Sequence, residues 1–153
     1  MNILYYYWNE NSKEDCVEAM TRLGHNVTIW DKPVKSLSSD PEFTESTAKE
    51  LKAGAYDLIF SFNYFPAVSE AALSAGVPYI SWVYDSPHYT LESLTLSNAC
   101  NHVFIFDYAM CELYRMRGID TADYLPLPVN TVRLDKLLTA KGKSLPSNTT
   151  SHL

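Results

Sequence analysis

Short apolar runs recur along this chain and are separated by amphipathic stretches. Each run has the length of one β-strand, and together they cover 3–8, 26–30, 57–62, 79–84, 102–106 and 122–125. Strands that alternate with helices are typical of βαβ units, whose strands lie parallel in one sheet. The pattern therefore predicts an α/β protein with a Rossmann-like, doubly wound, mostly parallel sheet of about six strands and helices on both faces.

The stretches between the runs have the residue spacing of amphipathic helices. In residues 12–23, Ser12 can cap the first turn, and Val17, Met20 and Leu23 fall on one face. The same spacing is found in residues 41–53, 67–75 and 108–117. Each stretch is followed by a glycine that we expect to end the helix in a left-handed conformation: Gly24, Gly54, Gly76 and Gly118.

The glycines do not form a phosphate-binding loop. The chain contains neither GxGxxG nor GxxxxGK[ST], the two patterns whose main-chain amides hold the phosphates of a dinucleotide or nucleotide. The sequence therefore predicts no cofactor site in this chain, and any nucleotide would bind to another domain.

A proline-rich segment, LPLPVN at residues 125–130, follows the last apolar run. Proline lacks an amide donor and fixes φ, so this segment cannot extend the sheet or begin a helix before Asn130. We therefore predict one Rossmann-like domain over 1–130. The remainder, 131–153, is expected to be a short linker helix followed by a disordered polar tail.

The composition disfavours several classes of partner. The chain has 153 residues, a net charge of −6 and a pI near 5.1, whereas nucleic acids and anionic membrane surfaces are bound by clustered Lys and Arg. No apolar run is long enough for a membrane span or a signal peptide. Cys16, Cys100 and Cys111 are widely spaced, without a CxxC pair, so we expect reduced thiols in a cytoplasmic protein.

Polar residues follow almost every apolar run. They are Asn9 and Glu10, Asp31, Asn63, Asp85 with His88, Asp107, and Asn130. Because the carboxyl ends of parallel strands share one edge of a sheet, we expect these groups to meet in a crevice flanked by aromatic residues such as Tyr64 and Tyr89. Carboxylates and amides beside aromatic faces suit a hydroxyl-rich ligand.

Several of these residues also have ordinary structural explanations. Asp107 can cap the following helix, Asp31 can form a turn, and Asn63 can bond to its own loop. Asp85 is the best candidate for chemistry because it directly follows an apolar run and a proline stiffens its loop. His88 lies close enough to reach the same crevice. No second pair of ligands has the spacing of a metal site, so no metal is predicted.

Three segments resemble a known family: SFNYFP at 61–66, GVPYISWVYDSP at 76–87 and YLPLPVN at 124–130. Together they are similar to the N-terminal domain of the CgeB-like (spore maturation protein B-like) bacterial glycosyltransferases, over about residues 1–135. The resemblance implies half of a GT-B fold, in which two Rossmann-like domains face each other across a cleft. The acceptor would bind mainly to the first domain and the nucleotide-sugar donor mainly to the second.

The resemblance also implies roles for the residues that follow the strands. Asp85 is the candidate general base for an acceptor hydroxyl, and His88 is its substitute. The other residues would bind the acceptor: Asn9, Glu10, Asn63, Tyr64 and Tyr89. The donor domain would be a separate C-terminal partner, so we expect the isolated chain to be inactive. No metal is required for this chemistry.

Two other classes of protein have a similar size. A receiver domain needs an acidic pair after the first strand, an aspartate after the third and a lysine after the fifth. This chain has Asn9-Glu10, Asn63 and Asp107 there, so its charges exclude that class. A noncatalytic interaction or ligand-binding module stays open, in which the aromatic edge binds a partner or closes a homo-oligomer.

Overall fold

A computed structural model describes residues 1–140, so the predicted disordered tail lies outside the described residues. The six strands in this range are β1 (Asn2–Tyr6), β2 (Asn26–Trp30), β3 (Leu58–Phe62), β4 (Tyr79–Val83), β5 (Asn101–Ile105) and β6 (Ala122–Tyr124). The α-helices are α1 (Lys13–Arg22), α2 (Pro41–Ala53), α3 (Pro66–Ala75), α4 (Tyr108–Met116) and α5 (Thr131–Ala140). Two short 3₁₀ turns, Tyr89–Glu92 and Leu94–Ser97, join β4 to β5.

The six strands form one sheet in the order β2-β1-β3-β4-β5-β6, and every neighbouring pair is parallel. The connection that leaves β1 runs toward one edge of the sheet, and the connection that leaves β3 runs toward the other. The gap between β1 and β3 is therefore the topological switch point, where open α/β sheets form a crevice. The predicted Rossmann-like, doubly wound α/β fold is confirmed, with an entirely parallel sheet.

Helices cover both faces of the sheet, as predicted. Cys16, Val17 and Met20 of α1 pack on one face, against β1 and β3. Helices α2, α3 and α4 pack on the opposite face, around a larger cluster that includes Leu4 and Ile59. Right-handed connections that run in opposite directions place their helices on opposite faces, so this division follows from the strand order.

The central strand β3 carries the site and is buried along its whole length, LIFSF. A parallel strand covered on both faces is apolar on both sides instead of alternating. Ser61 is its one polar residue. The Ser61 hydroxyl lies 2.6 Å from the Tyr79 hydroxyl and donates to the Asn63 carbonyl at 2.7 Å, so hydrogen bonds fix the end of the strand.

The helix N-termini agree only in part with the sequence prediction. Asp107 caps α4, because its carboxylate accepts a 3.0 Å hydrogen bond from the amide of Met110. The predicted side-chain cap at Ser12 is wrong, since its hydroxyl makes no capping bond to α1. The Ser12 amide instead donates to the buried carboxylate of Glu10.

Three of the four predicted left-handed glycines are confirmed, with positive φ at Gly24, Gly76 and Gly118. The prediction is wrong for Gly54, which has a φ of −88°. The following residue, Ala55, takes the left-handed conformation instead, with a φ of 49°. A Cβ at Gly54 would lie 2.1 Å from the ring of Tyr56, so a larger residue there would displace that ring.

Candidate functional site

The candidate site lies at the carboxyl edge of the sheet, beside the switch point between β1 and β3. Asn9 and Asn63 are in the loops that leave these two strands, and their φ angles are 73° and 57°. Asparagine tolerates this left-handed conformation better than most other residues. Both loops can therefore turn sharply as they leave the sheet.

Asn63 joins the ends of β3 and β4. Its side chain is 1% exposed, and its Nδ2 donates a 2.6 Å hydrogen bond to Oδ2 of Asp85. Its Oδ1 accepts from the main-chain amides of Tyr84 at 3.1 Å and of Asp85 at 3.4 Å. These bonds satisfy two amides beyond the end of β4 and fix the direction of the Asp85 side chain.

Asp85 is exposed at this edge of the sheet. Its Oδ2 accepts from Asn63, whereas its Oδ1 accepts no hydrogen bond from any of residues 1–140. The next residue also anchors the loop, because the Ser86 hydroxyl donates to Oδ2 of Asp107 at 3.1 Å. The main chain around Asp85 is therefore fixed by hydrogen bonds. One oxygen of its carboxylate is held by Asn63, and the other is available to a ligand.

His88 lies in the same loop, partly buried against β3. Its Nε2 is 3.3 Å from both the amide nitrogen and the carbonyl oxygen of Tyr64. Burial lowers the pKa of His88, and this effect outweighs the opposing influence of the Tyr64 main chain and the Asp85 charge. The imidazole is thus held in place and favours its neutral form. Tyr89 follows with a side chain that is 67% exposed.

The side chain of Tyr64 does not lie at the site. Its ring is fully buried, and its hydroxyl lies 2.8 Å from Oγ1 of Thr95 and accepts from Nδ2 of Asn101 at 3.3 Å. Tyr64 contacts His88 through its main chain. Any contact between Tyr64 and an acceptor would therefore come from its main chain.

Glu10 is also turned away from the crevice and is 5% exposed. Its carboxylate accepts a 2.7 Å hydrogen bond from the Tyr5 hydroxyl and a second bond from the Ser12 amide. Burial, and then the contact with Glu10, raises the pKa of Tyr5 above its ordinary value. Glu10 therefore holds the loop between β1 and α1, whereas Asn9 in the same loop is exposed.

The side chain of Trp8 joins the loop after β1 to the end of β3, at the switch point of the sheet. Its indole Nε1 donates a 2.8 Å hydrogen bond to the carbonyl of Phe62, the last residue of β3. Its ring centroid lies 5.8 Å from that of Phe65 and 6.4 Å from that of Tyr84. Aromatic rings of Trp8, Phe65 and Tyr84 therefore flank this edge, but the ring of Tyr64, which was expected there, is not among them.

Two cavities adjoin this aromatic flank. The first, of about 460 Å³, opens at the carboxyl ends of β1 and β2. The second, of about 570 Å³, lies between α1 and the segment at 127–132. The indole Nε1 of Trp82 donates to the carbonyl of Leu125 at 3.2 Å, which ties the start of the proline-rich segment to the sheet.

The remaining predicted edge residues serve other purposes or lie apart from Asp85. Asn130 caps α5 through a 3.1 Å bond from the Arg133 amide to its Oδ1. Asp31 is exposed at the end of β2, on the far side of β1 from β3. Sequence reasoning missed the second cavity, because the route of the proline-rich segment depends on tertiary contacts such as that of Trp82.

Other chemical groups are sparse in the described part of the chain. Within residues 1–140 no group of three or more His, Cys, Asp and Glu side chains is arranged to hold a metal ion. Burial raises the pKa of all three thiols, to about 12 for Cys16, which disfavours the nucleophilic thiolate. None of the helices in this range is both long enough and apolar enough to span a membrane.

No known protein family profile and no curated protein matches this chain. Among solved structures, the chain is similar to a de novo designed Rossmann 2x3 fold protein determined by NMR in solution. The TM-score is 0.43 at 10% sequence identity, with 99% of this chain and 98% of that chain covered.

Proposed function

We propose that this chain is the acceptor-side domain of a GT-B glycosyltransferase similar to the CgeB-like group, with Asp85 as the base for the acceptor hydroxyl. The observation that carries the proposal is the bond between Asn63 and Asp85 at the switch-point edge. It fixes one carboxylate oxygen and leaves the other available to a ligand. Switch-point crevices are where open α/β sheets bind their ligands.

The resemblance in sequence supports the same edge of the sheet. The segment at 61–66 contains the end of β3, the segment at 76–87 contains β4 and the Asp85 loop, and the segment at 124–130 begins at the end of β6. Because all strands are parallel, the three segments reach the carboxyl edge together. The residues that carry the likeness thus lie at the same edge of the sheet as the candidate base.

The proposed chemistry needs one proton acceptor on this domain. The acceptor oxygen forms a bond to the anomeric carbon of the donor as the bond from that carbon to the nucleoside diphosphate breaks. The hydroxyl proton passes to Oδ1 of Asp85, while Asn63 holds Oδ2. A general base must lie within hydrogen-bond reach of the hydroxyl, and an exposed, oriented carboxylate meets this condition.

His88 is better suited to positioning than to proton transfer. Its Nε2 is already engaged with the main chain of Tyr64, and burial favours its neutral form. A neutral imidazole beside Asp85 adds no positive charge that would weaken the carboxylate as a base. We therefore assign the base to Asp85, and assign to His88 the support of its loop.

The donor in this proposal is a nucleotide sugar bound by a second domain. Transfer requires stabilisation of the departing diphosphate, which helix N-termini and cationic side chains provide. The sequence of this chain contains no phosphate-binding glycine pattern, and its candidate edge carries Asp85, Asp107 and Asp31. An acidic edge suits a neutral hydroxyl ligand better than a diphosphate.

The proposal is tested by NMR titration of the ¹⁵N-labelled chain with glucose, N-acetylglucosamine and their UDP derivatives. We expect the free sugars to shift the amide resonances of Asn63, Asp85 and His88. Asp85→Asn should weaken sugar binding by roughly tenfold, the effect of losing one hydrogen bond to a charged group. Asp120→Asn, at an exposed carboxylate before β6 on the opposite edge, should leave binding unchanged. Absence of any sugar-dependent shift, or equal effects of the two variants, contradicts the proposal.

A second candidate is a noncatalytic interaction module, and one observation favours it. Exposed tyrosines lie at or beyond the carboxyl ends of three strands: Tyr89, Tyr108 and Tyr124 are 67%, 60% and 43% exposed. Exposed aromatic residues are enriched in protein interfaces. Trp8 and Trp82, by contrast, pack against the sheet. If the edge closes a homodimer, sedimentation of the wild-type chain should give a dimer that Tyr108→Ala dissociates, without any dependence on sugar.

A further inference from the structure

The 460 Å³ cavity beside the candidate site has the features of a ligand subsite. It is lined by Tyr6, Trp8, Asn9, Asp31, Leu37 and Phe65, among others. Its volume lies within the range of about 300–1,000 Å³ that is common for small-molecule sites. Such sites combine apolar and aromatic walls with a few polar groups that orient the ligand.

Two polar side chains in this cavity are available to a ligand. Asp31 is exposed and forms neither a hydrogen bond nor an ion pair with any of residues 1–140. The Asn9 Oδ1 accepts a 3.2 Å bond from the Tyr7 hydroxyl, whereas its Nδ2 donates to no group in the described part of the chain. The cavity thus offers one strong acceptor and one donor, which is the pair of groups that a vicinal diol or amide-bearing sugar ring can use.

The charge of the cavity selects among hydroxyl-bearing ligands. Its lining contains the carboxylate of Asp31 and neither Lys nor Arg. A phosphate or carboxylate ligand would meet a like charge in this lining, and no lining residue is itself a cation. The lining is therefore suited to a neutral ring and not to a nucleotide.

Trp8 connects this cavity to Asp85. Its ring lies in the lining of the cavity and contacts Phe65 on that side, with the centroids 5.8 Å apart. The same ring stacks on Tyr84, the neighbour of Asp85, at 6.4 Å and an interplanar angle of 22°. A ligand of more than one ring could therefore extend from the carboxylate over Trp8 into the cavity.

We propose that the cavity is a subsite for the second ring of an acceptor saccharide of at least two sugar units. The inference rests on the proposed function and specifies its substrate class. One hydroxyl of the terminal ring lies at Oδ1 of Asp85, and the next ring occupies the cavity, where Asp31 and Asn9 bind its polar groups. Aromatic rings in the wall provide the apolar surface that a pyranose face covers.

The test compares a sugar with its dimer on the intact 153-residue chain. The probes are glucose with cellobiose, and N-acetylglucosamine with its β-1,4-linked dimer, each titrated against the ¹⁵N-labelled protein. For one of the two pairs, we expect the dimer to bind about tenfold more tightly than the monomer. The same dimer should shift the amides of Asn9 and Asp31 in addition to those near Asp85. Asp31→Ala should remove most of this advantage and leave the monomer affinity unchanged, because the lost hydrogen bond to a charged group is worth about tenfold.

Two further variants separate recognition from folding. Asn9→Gly removes the amide while it keeps a residue that tolerates the positive φ, so it should also reduce the advantage of the dimer. Asp120→Ala, at an exposed carboxylate on the opposite edge, should have no effect. Equal affinities of monomer and dimer, with shifts limited to the Asp85 loop, would overturn the subsite and leave the proposed function intact. Dimer shifts at Asn9 and Asp31 without any at Asp85 would retain the subsite and refute Asp85 as the base, and an absence of all shifts refutes both.

Discussion

The side-chain amide of Asn63 donates a 2.6 Å hydrogen bond to Oδ2 of Asp85 across the ends of β3 and β4. The same side chain accepts hydrogen bonds from the amides of Tyr84 and Asp85. The buried side chain of Asn63 therefore accepts hydrogen bonds from the main chain beyond β4 and fixes the direction of the Asp85 carboxylate. The stability of this edge and the geometry of the candidate site thus depend on the same contacts.

Removal of the Asn63 side chain should destabilise the domain. In Asn63→Gly the positive φ is retained, but two amides beyond β4 lose their acceptor and Asp85 loses its donor. We expect the free energy of unfolding in urea to fall by roughly 1–3 kcal/mol, the range for a buried polar group left unsatisfied. Asn11→Gly, at an exposed loop asparagine, should cost less than about 0.5 kcal/mol. Similar losses for the two variants would show that the Asn63 contacts contribute little.

The hydroxyl of Tyr64 should matter for folding and not for sugar binding. It contacts Thr95 and Asn101 inside the protein. Tyr64→Phe should lower the free energy of unfolding by about 1–2 kcal/mol, because those partners lose a buried hydrogen bond. Tyr89→Phe, in which the altered ring is exposed, provides the matched control and should leave stability unchanged. If Tyr64→Phe instead weakens sugar binding at full stability, the phenol belongs to the acceptor site.

His88 should make stability depend on pH below neutrality. Its pKa is lower in the folded state than in the unfolded state, because burial disfavours the imidazolium by more than the Tyr64 main chain and the Asp85 charge favour it. The unfolded chain therefore binds the proton more readily. Stability is fully present above the unfolded pKa of about 6.5 and is lost as the pH falls through the folded value.

Urea unfolding at pH 7.5 and pH 5.5 measures this contribution. His88→Gln keeps an acceptor for the Tyr64 amide and removes the titrating ring, so it should lose less stability between these pH values than the wild type. His102→Gln, at an exposed histidine on β5, should keep the wild-type difference. An unchanged pH dependence in His88→Gln would refute the assignment.

The architecture could be predicted from the sequence because its signals are local. The alternation of apolar runs and helical stretches identified all six strands, and α2 begins and ends where the residue spacing indicated. The end of β1 is different: the apolar run continues to Trp8, but the strand stops at Tyr6. Trp8 lies beyond the strand, where its indole donates to the carbonyl of Phe62, 54 residues away in the sequence.

The site could be predicted only in part, because local sequence patterns do not indicate tertiary contacts. The positions of Asp85 and Asn63 at one edge follow from parallel strands, so their proximity could be expected. The burial of Glu10 and of the Tyr64 ring could not, because each depends on a partner that the local pattern does not indicate: the Tyr5 hydroxyl for Glu10, and Asn101 for Tyr64. Polarity indicates which edge a residue occupies but not whether its side chain turns inward.

The last prediction concerns α5, which three ion pairs join to α1. Both Asp15 oxygens lie 3.1 Å from Nη1 of Arg133, and Glu14 lies 3.1 Å from its Nη2. Leu134 and Leu137 of α5 are about half exposed, so neither is fully packed against the domain. Exposed ion pairs contribute about 0–1 kcal/mol and weaken in salt.

Arg133→Ala should therefore release α5 without unfolding the domain. We expect faster hydrogen exchange of the α5 amides, unchanged exchange in β3, and a change below about 1 kcal/mol in the free energy of unfolding. High salt should have the same effect on the wild-type protein. Arg117→Ala removes a comparable exposed pair with Glu92, away from α5, and should leave α5 exchange unaltered. Because the segment at 127–132 walls the 570 Å³ cavity, release of α5 should also widen access to it. Unchanged α5 exchange in Arg133→Ala would mean that packing, and not charge, holds this wall in place.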